Sequence, residues 1–122
     1  MTRDMDLIRN ILLKVEENTD GINYYSCNSC IPNISFNVML YHLNLMEEAG
    51  LFYGKVAKDL CGGFSVRGLS NYGHDFLETI KNDNIWMQTK QEIEEKKLPK
   101  TIKFLAEVAG RFIGALLKAK ND

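Results

Sequence analysis

Apolar positions fall at helical spacing along most of this chain, interrupted near the middle by a stretch of alternating pattern. Met5, Ile8, Ile11, Leu12 and Val15 follow the helical period and predict an amphipathic helix from about Asp4 to Asn18. Asp4 suits the N-cap, Asp6 places negative charge at the favourable end of the helix dipole, and the Asn-Thr-Asp-Gly run at 18–21 stops it. Arg9 and Lys14 are expected to point away from the buried face. A second periodic run begins at Ser35, a good N-cap, and puts Met39, Leu43 and Met46 on one stripe. Gly50 stands where a helix needs a left-handed residue after its last turn, and Leu51 can fold back to seal that end. Between these helices, Ile22–Tyr25 suits a short strand, and Pro32 forces Ile31 out of helical conformation. A full helix does not fit between Gly21 and Ser35.

Beyond Gly50 the period changes. Leu51–Lys58 can run as a strand, residues 59–63 (Asp-Leu-Cys-Gly-Gly) have turn chemistry, and Phe64–Arg67 alternates apolar with polar. Two strands joined by a glycine-rich turn predict a hairpin. The central segment, V-x-x-x-H-L-x-x-M-x-x-A-G-L over Val38–Leu51, resembles the recognition helix of winged helix-turn-helix proteins, and the hairpin after it resembles a wing. The exit, L-S/T-x-x-G-x-x-F-L at Leu69–Leu77, resembles the usual passage from a wing into the next helix, with Ser70 as its cap. The missing helix between Gly21 and Ser35 departs from that pattern, because it normally braces the reading helix and touches phosphates.

Three helices follow. Asn71–Ile80 should bury Tyr72, Phe76, Leu77 and Ile80. Asn82–Asn84 caps a helix over Ile85–Lys97, with Ile85, Trp86, Thr89 and Ile93 inward and Glu92, Glu94, Glu95, Lys96 and Lys97 solvated. Pro99 marks a break before a last helix over Thr101–Lys118. There Ile102, Leu105, Ala106, Ala109, Phe112, Ile113 and Leu116 form a broad apolar stripe, widened by Phe104, Val108, Ala115 and Leu117. So much apolar girth calls for burial on more than one side. The expectation is a homodimer in which Leu105, Ala109, Phe112, Ile113 and Leu116 form the interface, with Gly110 and Gly114 allowing close approach. The fold class expected is therefore α+β: a winged-helix-like domain over 1–80 and a C-terminal helical extension over 81–122.

The 122 residues allow one modest core, and the formal net charge of −1 lacks the basic excess of strong nonspecific DNA binders. The N-terminus carries no apolar signal region, and no run is apolar enough to span a membrane, so a cytoplasmic protein without membrane association is expected. Cys27 and Cys30 have the spacing of half a zinc site; Cys61 with His42 or His74 would have to supply the rest, and no second paired motif exists. The pair also lacks the strand-to-helix βαβ context of thioredoxin-like redox motifs. No metal and no cofactor are expected.

The opening Thr2–Leu12, of the form R-D-M-D-L-I-R-x-I-L, the Tyr41–Leu51 segment Y-H-L-x-L-M-x-E-A-G-L, and the Leu69–Trp86 segment with L-S-x-x-G-H-D-F-L and a closing I-W are similar to a family of short bacterial and prophage proteins known only as a domain of unknown function. The resemblance covers roughly the first 98 residues. It implies a winged-helix kind of fold and no established activity.

A reading helix needs donors and acceptors on its outer face and cations nearby for phosphates. Asn37, Val38, Tyr41, His42 and Asn44 are the candidates on the central helix, and Lys55, Lys58 and Arg67 on the hairpin. The central helix itself has no Lys or Arg. The expected function is a DNA-binding transcriptional regulator, acting on double-stranded DNA. The alternative is a non-catalytic module for a protein partner, suggested by Phe36, Val38, Leu40 and Tyr41. Enzymatic motifs are absent: there is no P-loop, dinucleotide fingerprint or nucleophile elbow, and His74 and Asp75, adjacent on a helix, cannot orient one another as a dyad.

Overall fold

The computed structural model describes residues 1–59 and 62–121. It is an α+β fold: helices α1 (Met5–Asn18), α2 (Phe36–Glu48), α3 (Asn71–Ile80), α4 (Asp83–Glu95) and α5 (Ile102–Asn121), with short strands β1 (Tyr25–Ser26), β2 (Ala57–Lys58) and β3 (Phe64–Val66). The strands form one antiparallel sheet in the order β1-β3-β2. Tyr25 pairs with Val66 and Ser26 with Ser65 on one side of β3; Ala57 pairs with Ser65 and Lys58 with Phe64 on the other. The chain divides into two compact units, Met1–His74 and Asp75–Asp122.

In the first unit α1 starts where the Asp4 carboxylate accepts the Leu7 amide, 3.2 Å away. Its buried arc is Met5, Leu7, Ile8, Ile11, Leu12 and Val15. Arg9, expected outside, is buried as well, because the long aliphatic stem lets a guanidinium lie along an apolar surface. The opposing arc of α2 is Met39, His42, Leu43 and Met46. The end of α2 is a Schellman closure. Gly50 has φ of 77°, its amide donates to the Glu47 carbonyl at 3.0 Å, and the Leu51 amide donates to the Met46 carbonyl at 3.0 Å. Leu51 is fully buried and seals the turn.

The sheet is shorter than the alternation predicts. The expected strand over Leu51–Lys58 is reduced to Ala57–Lys58 and one isolated bridge between Phe52 and Leu69. Gly54, with φ of 76°, turns the chain out of the ladder, and the Val56 amide goes to the Glu47 carboxylate at 2.8 Å instead of to β3. The first strand is shifted C-terminally from the expected Ile22–Tyr25. The Asp20 carboxylate captures the Ile22 and Asn23 amides at 2.9 and 2.8 Å, so pairing starts only at Tyr25. As expected, no helix lies between α1 and α2.

The close approach of Leu51 to the start of α3 rests on one glycine. The Ser70 hydroxyl caps the Gly73 amide at 2.9 Å and donates to the Gly50 carbonyl, and the Ser70 amide donates to the Leu51 carbonyl at 3.0 Å. A Cβ on Gly73 would lie 2.1 Å from that same Leu51 oxygen. Phe76, Leu77 and Ile80 of α3 are buried, whereas Tyr72, expected inside, is exposed.

In the second unit the Asn82 carboxamide caps α4 by accepting the Ile85 amide at 3.0 Å. Ile85, Trp86, Thr89 and Ile93 are buried, as the pattern predicts. α5 packs along α4. Leu105 and Ala109, assigned from sequence to an intermolecular interface, are instead buried within the chain, as is Val108. Phe112 and Ile113 are half-buried, while Leu116 and Leu117 are 48% and 56% exposed. No helix among the described residues is long and apolar enough to cross a membrane.

Candidate functional site

The buried arc of α2 centres on Met46, so the opposite line of the helix runs through Asn37, Tyr41, Asn44 and Glu48. Asn37 and Glu48 are exposed, and Tyr41 and Asn44 are half-buried. Val38 is half-buried on the flank. The Ser35 hydroxyl accepts the Val38 amide at 3.3 Å and fixes the first turn that presents Asn37. The outward line therefore offers two carboxamides and a phenol, with a carboxylate at its end and no cation.

His42 is not on that line. It is 1% exposed, and both ring nitrogens are engaged: Nε2 accepts the Asp4 amide at 2.8 Å, and Nδ1 lies 2.8 Å from the Val38 carbonyl. A backbone amide can only donate and a carbonyl can only accept, which fixes a neutral ring with its proton on Nδ1. His42 thus ties the start of α1 to the middle of α2 and is withdrawn from any surface contact. The expectation that it touches DNA is corrected. One step along a helix turns a side chain by about 100°, enough to move it from beside Tyr41 to beside Met46.

Lys55 and Lys58 are exposed around β2. The turn after Lys58 is held by Asp59, whose amide donates to the Gly63 carbonyl at 2.9 Å and whose carboxylate accepts the Gly63 amide at 2.7 Å. Leu60 and Cys61, part of the expected turn, lie outside the described residues. Phe64, buried at the start of β3, packs against Phe36 at the start of α2, with ring centroids 5.4 Å apart.

Arg67 departs from a free wing cation. Its guanidinium sits 5.2 Å from the Tyr53 ring centroid and 5.9 Å from that of Tyr24. Its Nε is buried without a hydrogen-bond partner among the described residues. Both tyrosines are exposed, so the cation is bracketed by two rings at the surface. Neither tyrosine is singled out by the sequence, because Tyr24, Tyr53 and Arg67 come from three separate segments.

Beside this bracket lies an open cleft of about 370 Å³ lined by Glu16, Thr19, Asp20, Tyr53, Leu69 and His74, with Gly21 and Gly68. His74 Nδ1 lies 3.6 Å from the Glu16 carboxylate of α1. Three backbone and side-chain donors from Ile22 and Asn23 hold the Asp20 carboxyl below the usual carboxylate range, leaving it spent on its own turn. Among the described residues no cluster of His, Cys, Asp and Glu could hold a metal. Cys27 and Cys30 are both free thiols, one buried and one half-buried.

Residues 2–99 match the family described as hypothetical protein DUF2513. The chain belongs to the DUF2513 family. The DUF2513 match ends before α5 begins at Ile102. An uncharacterised protein of Haemophilus influenzae is similar to this DUF2513 chain, 30% identical over 122 residues, an alignment covering 96% of this chain and 99% of that protein. So little of the chain falls outside that alignment that most of α5 must lie within it. No solved structure matches.

Proposed function

We propose that the Met1–His74 unit is a winged-helix-like DNA-binding module, that α2 is its reading helix and the β2–β3 hairpin its wing, and that the protein is a transcriptional regulator of bacterial or prophage origin. The observation that carries this reading is the outward line of α2. Asn37 and Asn44 spend no side-chain hydrogen bond among the described residues, and Tyr41 stands between them. A carboxamide pairs with the N6 and N7 edge of adenine, and Val38 on the flank suits a thymine methyl. Lys55 and Lys58 supply phosphate contacts from the hairpin, and Arg67, held between its tyrosines, a third. The reading is of a binding protein, not an enzyme.

Few cations make the electrostatic contribution small. With Lys55, Lys58 and Arg67 each neutralising one phosphate, log K should fall with log salt at a slope of about −3 per chain. Fluorescence anisotropy against duplex DNA at graded salt tests this. The Lys55→Ala/Lys58→Ala variant should flatten the slope to about −1, the share of Arg67, and Asn37→Ala/Asn44→Ala should weaken binding without changing the slope. Absence of binding by folded protein at low salt would overturn the proposal.

A second reading, a non-catalytic module for a protein partner, is favoured by the exposed apolar side chains of Ile22, Tyr24, Phe36 and Tyr53 on the same unit. It requires association that tolerates salt and is lost on Phe36→Ala or Tyr41→Ala. A homodimer, under either reading, would now rest on the outer turns of α5, Phe112 to Leu117, and not on Leu105 or Ala109.

A further inference from the structure

The loop between β1 and α2 carries a pair of thiols that the DNA-binding reading does not use. Cys27 directly follows β1, and its amide donates to the Phe64 carbonyl at 2.9 Å, extending the ladder by one residue. The next residue returns the bond: the Phe64 amide donates to the Asn28 carboxamide at 2.9 Å. These two bonds pin the start of the Cys27–Cys30 turn to the sheet. Cys27 is fully buried, with its sulfur 3.8 Å from the Tyr25 carbonyl, whereas Cys30 is half-buried. Residues 28 and 29 form a turn that brings Cys30 back beside Cys27.

We propose that Cys27 and Cys30 form an oxidisable dithiol: hydroperoxides attack at Cys30, and Cys27 resolves the product into an intramolecular disulfide. The division of labour follows from access. Of the two sulfurs, Cys30 is the one that meets a solvent-borne oxidant, and the turn holds the buried Cys27 beside it. The surroundings agree. The Cys27 side chain beside it lowers the Cys30 thiol below its ordinary value, against a smaller opposing effect of burial, and nearby Lys14 adds to the lowering. The neighbouring Cys30 side chain, and then burial, push Cys27 up. A thiolate is the nucleophile in both steps of such chemistry, so the exposed sulfur is the one prepared to react first.

The reaction balances with the peroxide as sole co-reactant. The Cys30 thiolate attacks one peroxide oxygen; an S–O bond forms, the O–O bond breaks, and the departing alkoxide or hydroxide takes a proton. Cys30 is then a sulfenic acid, oxidised by two electrons. The Cys27 sulfur attacks it; the S–S bond forms, the S–O bond breaks, and hydroxide leaves as water with the Cys27 proton. A thiol reductant reverses the outcome by exchange.

The test is made on the full chain carrying Cys61→Ser, so that only two thiols remain, with circular dichroism to verify the fold. The protein is treated with hydrogen peroxide, alkylated with a maleimide and read by intact and peptide mass. The expected result is loss of both labelling sites, a mass lower by two hydrogens, a cross-link between Cys27 and Cys30, and full recovery after dithiothreitol. A Cys27→Ala change on this background should stop at a Cys30 sulfenic acid that dimedone traps. If that variant fails to fold, the two-thiol protein alone decides. Two free thiols at peroxide levels that oxidise a model thiol would overturn the proposal, and so would Cys30 sulfinic acid beside an intact Cys27.

Discussion

Gly73→Ala should destabilise the protein, although alanine is the better helix former. The new Cβ would lie 2.1 Å from the Leu51 carbonyl oxygen and 3.0 Å from its carbon, both backbone atoms that cannot swing aside. To reach even 3.0 Å from the oxygen, the start of α3 must retreat by about 0.9 Å. That retreat is opposed by bonds converging on the same place. The Ser70 amide to Leu51 carbonyl bond, now 3.0 Å, would stretch beyond a useful hydrogen bond, and the Ser70 hydroxyl would leave the Gly50 carbonyl. Overpacking of this kind costs about 1–3 kcal/mol, a lost hydrogen bond about 1 more, and the helix preference of alanine returns about 1. The net loss is about 2 kcal/mol, which for a domain of this size lowers Tm by about 6–12 °C.

Thermal unfolding followed by circular dichroism and calorimetry measures this, with Gly110→Ala as the control. Gly110 is exposed within α5, and its added Cβ meets nothing within 4 Å, so alanine there should stabilise by about 0.5–1 kcal/mol. The two substitutions are chemically identical and opposite in expected sign. A Gly73→Ala protein with Tm equal to or above the wild type would refute the packing argument.

His42→Ala should cost about 2–4 kcal/mol in a urea titration, since it opens a core cavity and strands the Asp4 amide; if His42 were a surface contact, stability would be unchanged. Lys97→Gly should stabilise by about 1 kcal/mol, because Lys97 closes α4 with φ of 53°, a conformation that costs a side-chain-bearing residue and not glycine. For Asp20 the folded carboxyl titrates below its unfolded value, so its contribution is present above the unfolded value and is lost as pH falls through the folded one. The amide resonances of Ile22 and Asn23 should therefore titrate with a midpoint below that of a free aspartate, and a midpoint at the free value would sink the turn assignment. Leu116→Lys/Leu117→Lys should leave the free energy of unfolding within about 0.5 kcal/mol of wild type, as exposed positions do, and should abolish any dimer seen by sedimentation.

The features legible in the sequence are those with local causes. Asp4, Ser35 and Asn82 each accept the amide three residues on, and Gly50 takes the left-handed conformation that the Ala-Gly-Leu signature predicts. In two of the places where the reading failed, a group had two possible partners and the distant one prevailed. The Val56 amide could have joined the ladder, but Glu47, nine residues back, takes it and shortens β2. His42 bonds a residue 38 positions away, and periodicity alone treats a polar residue as outward. The exposed aromatic bracket on Arg67 has the same origin, since Tyr24 and Tyr53 meet it only after the sheet forms. The consequence for function is specific. Of the eight sequence candidates for DNA contact, His42 is spent on the core and Arg67 is shared with two tyrosines. If the α2 line reads DNA as proposed, recognition depends on Asn37, Tyr41 and Asn44 more than on charge, which is why a shallow salt dependence, and not its absence, is the outcome that separates a DNA reader from a protein-binding module.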